Sequence, residues 1–285
     1  MKNCLLVLIY ILINLGCARQ EPLILATYSY SNNDRIANIF PLAEALSKSI
    51  DLPIEVKSYA DVNSLIEAIL IKDVDIALIN THGFLILEQY EHDMEPLVAL
   101  NSDNLQELNY RAVILSREAN KISSIEELKK KSNQLKFMFV AEQSTSGYFI
   151  PKRFLSKIGI DNPKDTFKKV EFGGNHQDTF DLLLKGATDL IAVGSNEYYT
   201  QLTNNPSLKE EIELVWMSGE IPLGPVIVSE RLRPEKVHLI QNILLDIHIS
   251  NPEAFDAVKM GWSEARNSNR FIEVSDTQYN SLGTL

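Results

Sequence analysis

The chain has 285 residues, of which 45% are hydrophobic and 23% are charged, and its formal net charge is −11. This is the composition of a globular protein, long enough for one large domain or two medium ones. The acidic balance argues against nucleic acid or an anionic membrane surface as the partner, but a small anion needs only a few backbone N–H groups and is not excluded.

The first residues carry an export pattern. Lys2 precedes an apolar run at residues 5–13, which is too short to span a bilayer and has the size of the apolar region of a signal peptide. The run leads to Gly16 and Cys17, and this ending resembles a bacterial lipobox, in which the cysteine is lipidated and becomes the new N-terminus. An ordinary secretory signal or a buried apolar strand is the alternative interpretation.

This pattern predicts the form of the mature chain. We expect residues 1–16 to be a signal peptide and residues 17–22 to be a tether whose Cys17 carries lipid, so that the protein is exported and anchored in the cell envelope. Cys4 would be removed with the signal peptide. The mature chain would then have no free thiol and no disulfide, which excludes cysteine chemistry.

After residue 20, short apolar runs alternate with segments of helical periodicity. The strands predicted in chain order are residues 22–30, 52–60, 74–80, 96–101, 109–116, 135–141, 168–173 and 188–194. The predicted helices are residues 35–50, 62–73, 82–92, 123–132, a helix from Thr145 to Ile158, residues 178–186 and a final helical region at about 233–266. Strands that alternate with helices indicate parallel sheets.

Two segments share one plan. Residues 62–85 and 177–199 each contain a helix, a tight turn, an Asp, an apolar strand and a polar turn that opens another helix. Asp75 and Asp189 hold matching places in the two segments. The recurrence suggests two α/β lobes of similar construction, although βαβ units also resemble one another for purely physical reasons.

Four turns between an apolar strand and a helix are rich in small polar residues. They are Ser29–Asn32, Asn80–Gly83, Ser144–Gly147 and Gly174–Gln177. In a parallel sheet such turns lie at the carboxyl ends of the strands, where ligands bind, and a helix N-terminus offers unpaired N–H groups. Each turn alone is most simply a helix cap, and His82 or His176 alone is most simply structural. Together the four turns indicate a clamp for a small oxyanion.

A family resemblance starts at the third turn. The stretch "STSGYFIPKRFLSKIG" resembles the S-T-S-G-Y-x-x-P segment of the phosphate/phosphite/phosphonate-binding proteins, which are solute-binding components of ABC importers. Four other segments resemble the family in the family's order. They are "YADVNSLIEAILIKDVDIALINTHGFL", "LNYRAVILSREANKISSIEELKKKSNQLKFMFV", "FGGNHQDTFDLLLKGATDLIAV" and "SGEIPLGPVIVSERLRPE". Together the five segments cover most of residues 23–250.

The resemblance implies an α/β fold of the type II periplasmic binding proteins, in which two α/β lobes joined by two crossover strands close on a ligand. We expect residues 23–112 and 218–285 to form lobe 1 and residues 113–217 to form lobe 2. The implied function is to bind a phosphonate, phosphate or phosphite and deliver it to an ABC permease in the inner or plasma membrane. We expect no cofactor, no metal site and no nucleic acid, and a monomeric protein.

Carried over by position, the resemblance also implies the residues that contact the ligand. They are Ser144, Thr145, Ser146, His176, Tyr30, Asn80, Thr81, Tyr110, Glu197 and Glu220. The three hydroxyls would take the oxyanion at a helix N-terminus, and His176 would add a donor from the neighbouring turn. Tyr110 lies at the start of the crossover, where the family often has a ligand-facing tyrosine. Glu197 and Glu220 are candidates for holding an amine, as acidic residues do in aminoalkylphosphonate binders.

One residue conflicts with the predicted helices. If a helix begins at Thr145, Pro151 lies too deep for its first turn and should kink it, because proline removes a backbone donor and clashes with the preceding turn. The sequence offers no reason for a proline at this position.

Two other functions remain open. An enzyme on the same fold, such as a pyrimidine-precursor synthase or a hydrolase, would need catalytic groups, and the sequence has no G-x-S-x-G, no H-E-x-x-H, no cysteine nucleophile and no paired-His metal spacing. An export signal also argues against cytosolic biosynthesis, so we expect the protein not to be an enzyme. A stand-alone sensor that reports a ligand to a membrane receptor is the second alternative.

Overall fold

The computed structural model describes residues 21–30, 33–101 and 109–283. The predicted signal peptide, the predicted lipid site Cys17, and Ser31 and Asn32 of the first polar turn lie outside the described residues. No helix among the described residues is long and apolar enough to cross a bilayer.

The described residues alternate between strands and helices. The strands are β1 Leu23–Tyr28, β2 Ile54–Tyr59, β3 Ile76–Leu78, β4 Met94–Asn101, β5 Ala112–Arg117, β6 Lys136–Phe139, β7 Lys169–Phe172, β8 Leu190–Gly194, β9 Ile212–Met217, β10 Pro225–Ser229 and β11 Arg270–Glu273. The α-helices are α1 Arg35–Ile50, α2 Val62–Leu70, α3 Thr81–Leu87, α4 Ile125–Lys131, α5 Ile150–Lys157, α6 Pro163–Thr166, α7 His176–Leu184, α8 Ser195–Asn204, α9 Leu208–Glu211, α10 Pro234–Ser250, α11 Pro252–Met260 and α12 Thr277–Gly283. Short 3₁₀ turns cover Glu118–Asn120, Ser132–Gln134 and Ser263–Ala265, and one π-helical turn covers Thr145–Phe149.

The strands form two separate sheets. The first sheet has the order β11-β4-β10-β3-β1-β2, and the second has the order β7-β6-β8-β5-β9. In each sheet three neighbouring strands are parallel, and the next strand (β10 in the first sheet, β5 in the second) runs antiparallel to them. The sheets are therefore mixed, and the expectation of parallel sheets is wrong for the strands that follow each crossing. A strand that enters from the other sheet is not joined to its neighbour by a βαβ crossover, so no helix constrains it to be parallel.

The chain passes between the sheets twice, from β4 to β5 and from β9 to β10. The two crossing segments lie side by side, because Ile221 N donates to the Tyr110 carbonyl at 2.8 Å and Ala112 N donates to Ser218 Oγ at 2.9 Å. Two α/β units joined by two crossing segments are the architecture that the sequence predicts.

Each sheet is buried on both faces. Along β1, Leu25 packs with α1, α10 and α11 on one face, whereas Ala26 packs with α2 and α3 on the other. Along β5, Ile114 and its neighbours Val113 and Leu115 divide between the two faces of the second sheet in the same way. Burial on both faces explains why the strands read as continuous apolar runs in the sequence.

The matching aspartates hold equivalent places in the two sheets. Asp75 Oδ2 accepts from Ile24 N at 2.9 Å, and Asp189 Oδ2 accepts from Lys136 N at 2.9 Å. Each aspartate therefore receives the amide of the parallel strand beside it. Each also pairs with an arginine at 3.4 Å, Arg231 for Asp75 and Arg117 for Asp189. The internal repeat expected from the sequence is thus present in three dimensions.

Candidate functional site

A cavity of about 130 Å³ lies between the two sheets. The side chains that line it from the first sheet's half include Tyr30, Arg35, Asp61, Asn80 and Glu264. Those that line it from the other side include Tyr110, Ser144, Thr145 and His176. Most of these residues follow β1, β3, β6 and β7, so the cavity lies at the carboxyl ends of parallel strands, where ligands of α/β proteins bind.

The residues that follow Ser144 form a π-helical turn and not the start of a long α-helix. Ser144 caps it, since its Oγ accepts from Gly147 N at 3.1 Å. Gly147 has to be glycine here, because a Cβ would come within 2.4 Å of Val140 Cγ2. Phe149 N donates to the Ser144 carbonyl, five residues back, at 3.0 Å. The bond from residue 149 to residue 144 makes this turn wider than an α-helical one, and Ser144 and Thr145 at its start line the cavity.

The π-helical turn also explains Pro151. The α-helix begins only at Ile150, so Pro151 lies in its first turn, where the missing N–H costs no hydrogen bond. The Gly147 carbonyl, which would accept from residue 151 in a continuous α-helix, accepts from Val140 N at 3.1 Å instead. The prediction of a kinked α-helix that begins at Thr145 is therefore wrong.

Each of the three consecutive hydroxyls already accepts one hydrogen bond. Ser144 Oγ accepts from Gly147 N, Thr145 Oγ1 accepts from His82 N at 3.1 Å, and Ser146 Oγ accepts from the Tyr110 hydroxyl at 2.8 Å. Because a hydroxyl has one proton of its own, each of them keeps a donor for another acceptor. Ser144 and Thr145 line the cavity, while Ser146 is fully buried and does not, although its partner Tyr110 does.

His176 is held as a neutral donor. Its Nδ1 accepts from Gly194 N at 3.0 Å, so the proton of the neutral ring is on Nε2. Burial lowers the pKa of His176 from 6.5 to about 4, which keeps the ring uncharged at neutral pH. The ring therefore adds a hydrogen-bond donor to the cavity without adding a charge.

The wall opposite the hydroxyls is aromatic and carries charged groups. The Tyr30 hydroxyl is buried and has no hydrogen-bond partner among the described residues, and burial raises its pKa. Arg35 and Glu264 line the same wall. The sequence did not predict either residue as part of the site. Glu264 lies in a 3₁₀ turn far along the chain, and no motif marks it. Arg35 begins a helix, where the helix dipole disfavours a cation. This unfavourable position is the one feature of the sequence that could have singled out Arg35.

The two halves touch across the cavity. Asn80 caps α3 through its Oδ1, and its Nδ2 donates to the Gln143 carbonyl at 3.0 Å. The His82 ring stacks on Phe149 with centroids 4.4 Å apart. Burial lowers the pKa of His82 from 6.5 to about 4. These contacts join the turn after β3 to the turn after β6.

Four predicted ligand residues do not line the cavity, and one of them is Ser146, which is fully buried and accepts from the Tyr110 hydroxyl. Thr81 is buried and its Oγ1 donates to the Pro222 carbonyl at 2.7 Å. Glu197 accepts from Gln201 on the next turn of α8 at 2.8 Å. Glu220 is exposed, accepts from Asn109 at 2.9 Å and borders a different cavity, beside α5. The carboxyls that reach the site are those of Asp61 and Glu264 instead.

The arrangement suits a small oxyanion. Hydroxyl side chains and a neutral imidazole line a space far smaller than the roughly 300–1,000 Å³ of pockets for drug-sized ligands. Among the described residues, no group of three or more His, Cys, Asp or Glu side chains is placed to hold a metal ion.

Comparisons with known proteins agree with this geometry. Residues 25–279 match the family model described as ABC transporter, phosphonate, periplasmic substrate-binding protein. The chain is 27% identical over 254 residues to the probable ABC transporter phosphite binding protein PhnD1 of Prochlorococcus marinus, covering 87% of this chain and 82% of that protein.

Two solved structures show the same fold. PhnD1 of Prochlorococcus marinus in complex with methylphosphonate matches with a TM-score of 0.71 at 22% identity, covering 92% of this chain and 96% of that one. XAC2383 of Xanthomonas citri bound to ATP matches with a TM-score of 0.74 at 18% identity, covering 92% and 95%. At these identities the likeness carries the fold alone, and the fold is the type II periplasmic binding fold expected from the sequence.

Proposed function

The chain belongs to the family of periplasmic substrate-binding proteins of phosphonate ABC transporters, and from this we propose that its own ligand is a small phosphorus oxyanion, a phosphonate, phosphite or phosphate. As a member it is the solute-binding component of an importer, with the permease of that importer as its partner. Since the family consists of transport proteins that bind solutes, the expectation that the chain is not an enzyme is confirmed. The family is periplasmic, so the protein is exported.

The observation that carries the ligand proposal is the set of donors on one wall of the cavity. Ser144, Thr145 and the Nε2–H of His176 each have a proton to give, and none of them brings an acidic group with it. Hydrogen bonds to a charged group contribute about 1.5–3 kcal/mol each. Three such bonds contribute about 4.5–9 kcal/mol before the costs of ordering and closure, and the upper end of this range corresponds to micromolar binding.

We propose that residues 23–112 and 218–285 move as one lobe and residues 113–217 as the other. This is supported by the partition of the strands, since β5–β9 form one sheet and all other described strands form the other. Binding would favour the closed state because Tyr30 and Asn80 line the cavity from one half and Ser144 from the other.

Titration calorimetry against phosphate, phosphite, methylphosphonate, aminoethylphosphonate and sulfate tests the ligand class. We expect at least one phosphorus oxyanion to bind with a micromolar or lower Kd, because the neutral donors of the cavity are complementary to its oxygens. Absence of binding by all four phosphorus compounds would refute the proposal. Preference for aminoethylphosphonate would point to Asp61 or Glu264 as the partner of the amine, in place of Glu197 and Glu220.

We also propose that Cys17 is lipidated and anchors the protein to the membrane that holds the permease. Replacing it, as Cys17→Ser, removes the thiol that would carry the lipid, so the variant should move from the detergent phase to the aqueous phase in a phase-partition assay. Cys4→Ser is the matched control, and it should partition like the unaltered protein because Cys4 lies in the removed segment. Retention of Cys17→Ser in the detergent phase would contradict the anchor.

The monomeric state rests on the sequence alone. We propose a monomer that serves the permease. A stand-alone sensor for a membrane receptor would use the same cavity. Deletion of the permease distinguishes the two roles, because it should abolish uptake of the ligand if the protein serves transport.

A further inference from the structure

Arg35 lies in the wall of the cavity and is almost fully buried. Its side chain is 4% exposed, and it lines the cavity at the first position of α1. Its Nε donates to the Gly261 carbonyl at 3.0 Å, and its Nη1 donates to the Tyr28 carbonyl at 3.3 Å. These bonds hold the guanidinium in place, but a carbonyl is a dipole and does not neutralise a charge.

Aromatic rings surround the rest of the guanidinium. Its Cζ lies 4.3 Å from the ring centroid of Tyr28, 5.3 Å from that of Tyr30 and 4.5 Å from that of Trp262. Ring faces attract a cation, yet they too carry no net charge. The environment is therefore built for a cation, and its placement at a helix N-terminus opposes the helix dipole.

No carboxylate of the described residues forms an ion pair with Arg35. Glu264 lines the same wall, and the charge of Arg35 favours its ionised form, but burial is the larger effect and raises the pKa of Glu264 above its ordinary value. A buried charge without a counter-ion is costly, and such charges in proteins are normally paired. An anion in the cavity would supply the missing partner.

We propose that Arg35 is the counter-charge of the bound oxyanion and that the site takes this ligand as a dianion. The proposal rests on the proposed function and specifies the charge state of its ligand. The donors on the opposite wall are neutral hydroxyls and a neutral imidazole, so they add no positive charge that would favour a second negative charge on the ligand. Arg35 is the single Lys or Arg among the described residues that line the cavity, and so it decides that difference.

The other ionisable groups at the cavity are accounted for. His176 is neutral well above its pKa of about 4, and burial raises the pKa of the three tyrosines that line the cavity, Tyr28, Tyr30 and Tyr110, so these four groups do not change charge between pH 6 and 8.5. Asp61 and Glu264 are acids, and any ionisation of Glu264 in this range would weaken the binding of an anion as the pH rises. A rise in affinity with pH therefore comes from the ligand and Arg35.

Two ligands of the same shape separate the charge states. Methylphosphonate loses its second proton as the pH rises from 6 to 8.5, whereas methanesulfonate keeps a single negative charge throughout. By calorimetry, we expect the affinity for methylphosphonate to rise about tenfold or more over this range, as one added charge near a buried cation implies. The affinity for methanesulfonate should be weaker, and it should stay constant or fall.

Variants then assign the effect to Arg35. Arg35→Met keeps an unbranched side chain against the three rings and removes the charge, so methylphosphonate binding should lose its rise with pH. Arg35→Lys keeps the charge and should retain the rise. Glu264→Gln removes an acid from the wall that holds Arg35, so its rise in methylphosphonate affinity with pH should be at least as large as that of the wild-type protein.

The outcomes are distinguishable. If the wild-type protein binds methylphosphonate with an affinity that is flat or falls with pH, or if Arg35→Met retains the rise, the dianion proposal is overturned. If no phosphorus oxyanion binds at any pH, the proposed function fails instead. If circular dichroism shows Arg35→Met to be unfolded, the wild-type and Arg35→Lys profiles against the two ligands decide, because a constant preference for methanesulfonate would overturn the proposal by itself.

Discussion

Replacing Ser144 with alanine and Thr145 with valine is expected to weaken the binding of the phosphorus oxyanion at least about 100-fold. Both hydroxyls line the cavity, and each accepts one hydrogen bond from a backbone amide, so each has its own proton free for the ligand. Two lost hydrogen bonds to a charged group amount to about 3–6 kcal/mol. Calorimetry with the oxyanion that binds the wild-type protein measures the loss.

The same substitutions have a structural cost, which a control separates from binding. Ser144 caps the π-helical turn, and loss of a cap lowers the free energy of unfolding by about 0.5–2 kcal/mol. Ser156→Ala, on the exposed side of α5 in the same half, also loses a hydroxyl hydrogen bond but lies away from the cavity. It should bind like the wild-type protein. A folded double variant with a Kd within threefold of wild type would refute the role of the two hydroxyls.

Acidification from pH 7 to pH 4 is expected to lower the free energy of unfolding by about 3 kcal/mol for each of His82 and His176. Burial lowers the pKa of both from 6.5 to about 4. Between pH 4 and 6.5 the unfolded chain therefore binds more protons than the folded one. The contribution of each histidine is fully present above pH 6.5 and is lost as the pH falls toward 4.

Urea unfolding at several pH values measures this loss. The double variant His82→Gln with His176→Gln should show a shallower decline between pH 6.5 and 4 than the wild-type protein, since the two imidazoles with lowered pKa values no longer take up protons on unfolding. His238→Gln is the matched control, because His238 is exposed on α10 and should leave the profile unchanged. Equal slopes for the double variant and the wild-type protein would show that the two rings are not buried in the neutral form.

Periodicity and capping placed most elements correctly. The helix predicted at 35–50 is α1, and the strands predicted around β1, β2, β6 and β8 contain the observed ones. The matching Asp75 and Asp189 were also recognisable, because a buried strand preceded by an acid and a turn is a local pattern. Such features depend on residues close together in the chain, so they can be inferred without the fold.

The Ser144 turn was recognisable as a capped turn but not in its geometry. A proline seven residues after a serine cap conflicts with an α-helix, and the conflict is resolved by a π-helical turn whose Gly147 carbonyl accepts from Val140 N. That bond depends on how β6 lies against the turn, which no local pattern encodes.

By itself, the sequence determined the α/β class and the repeated unit, because these follow from periodicity and capping, and the resemblance of five segments identified the family. Only the tertiary structure decided which acid and which cation meet the cavity. Arg35 and Glu264 lie 229 positions apart and line one wall, while Glu197 and Glu220 are directed elsewhere. Contacts between distant segments are set by the packing of whole helices on the sheets, and a buried charge shows itself only when its surroundings are known.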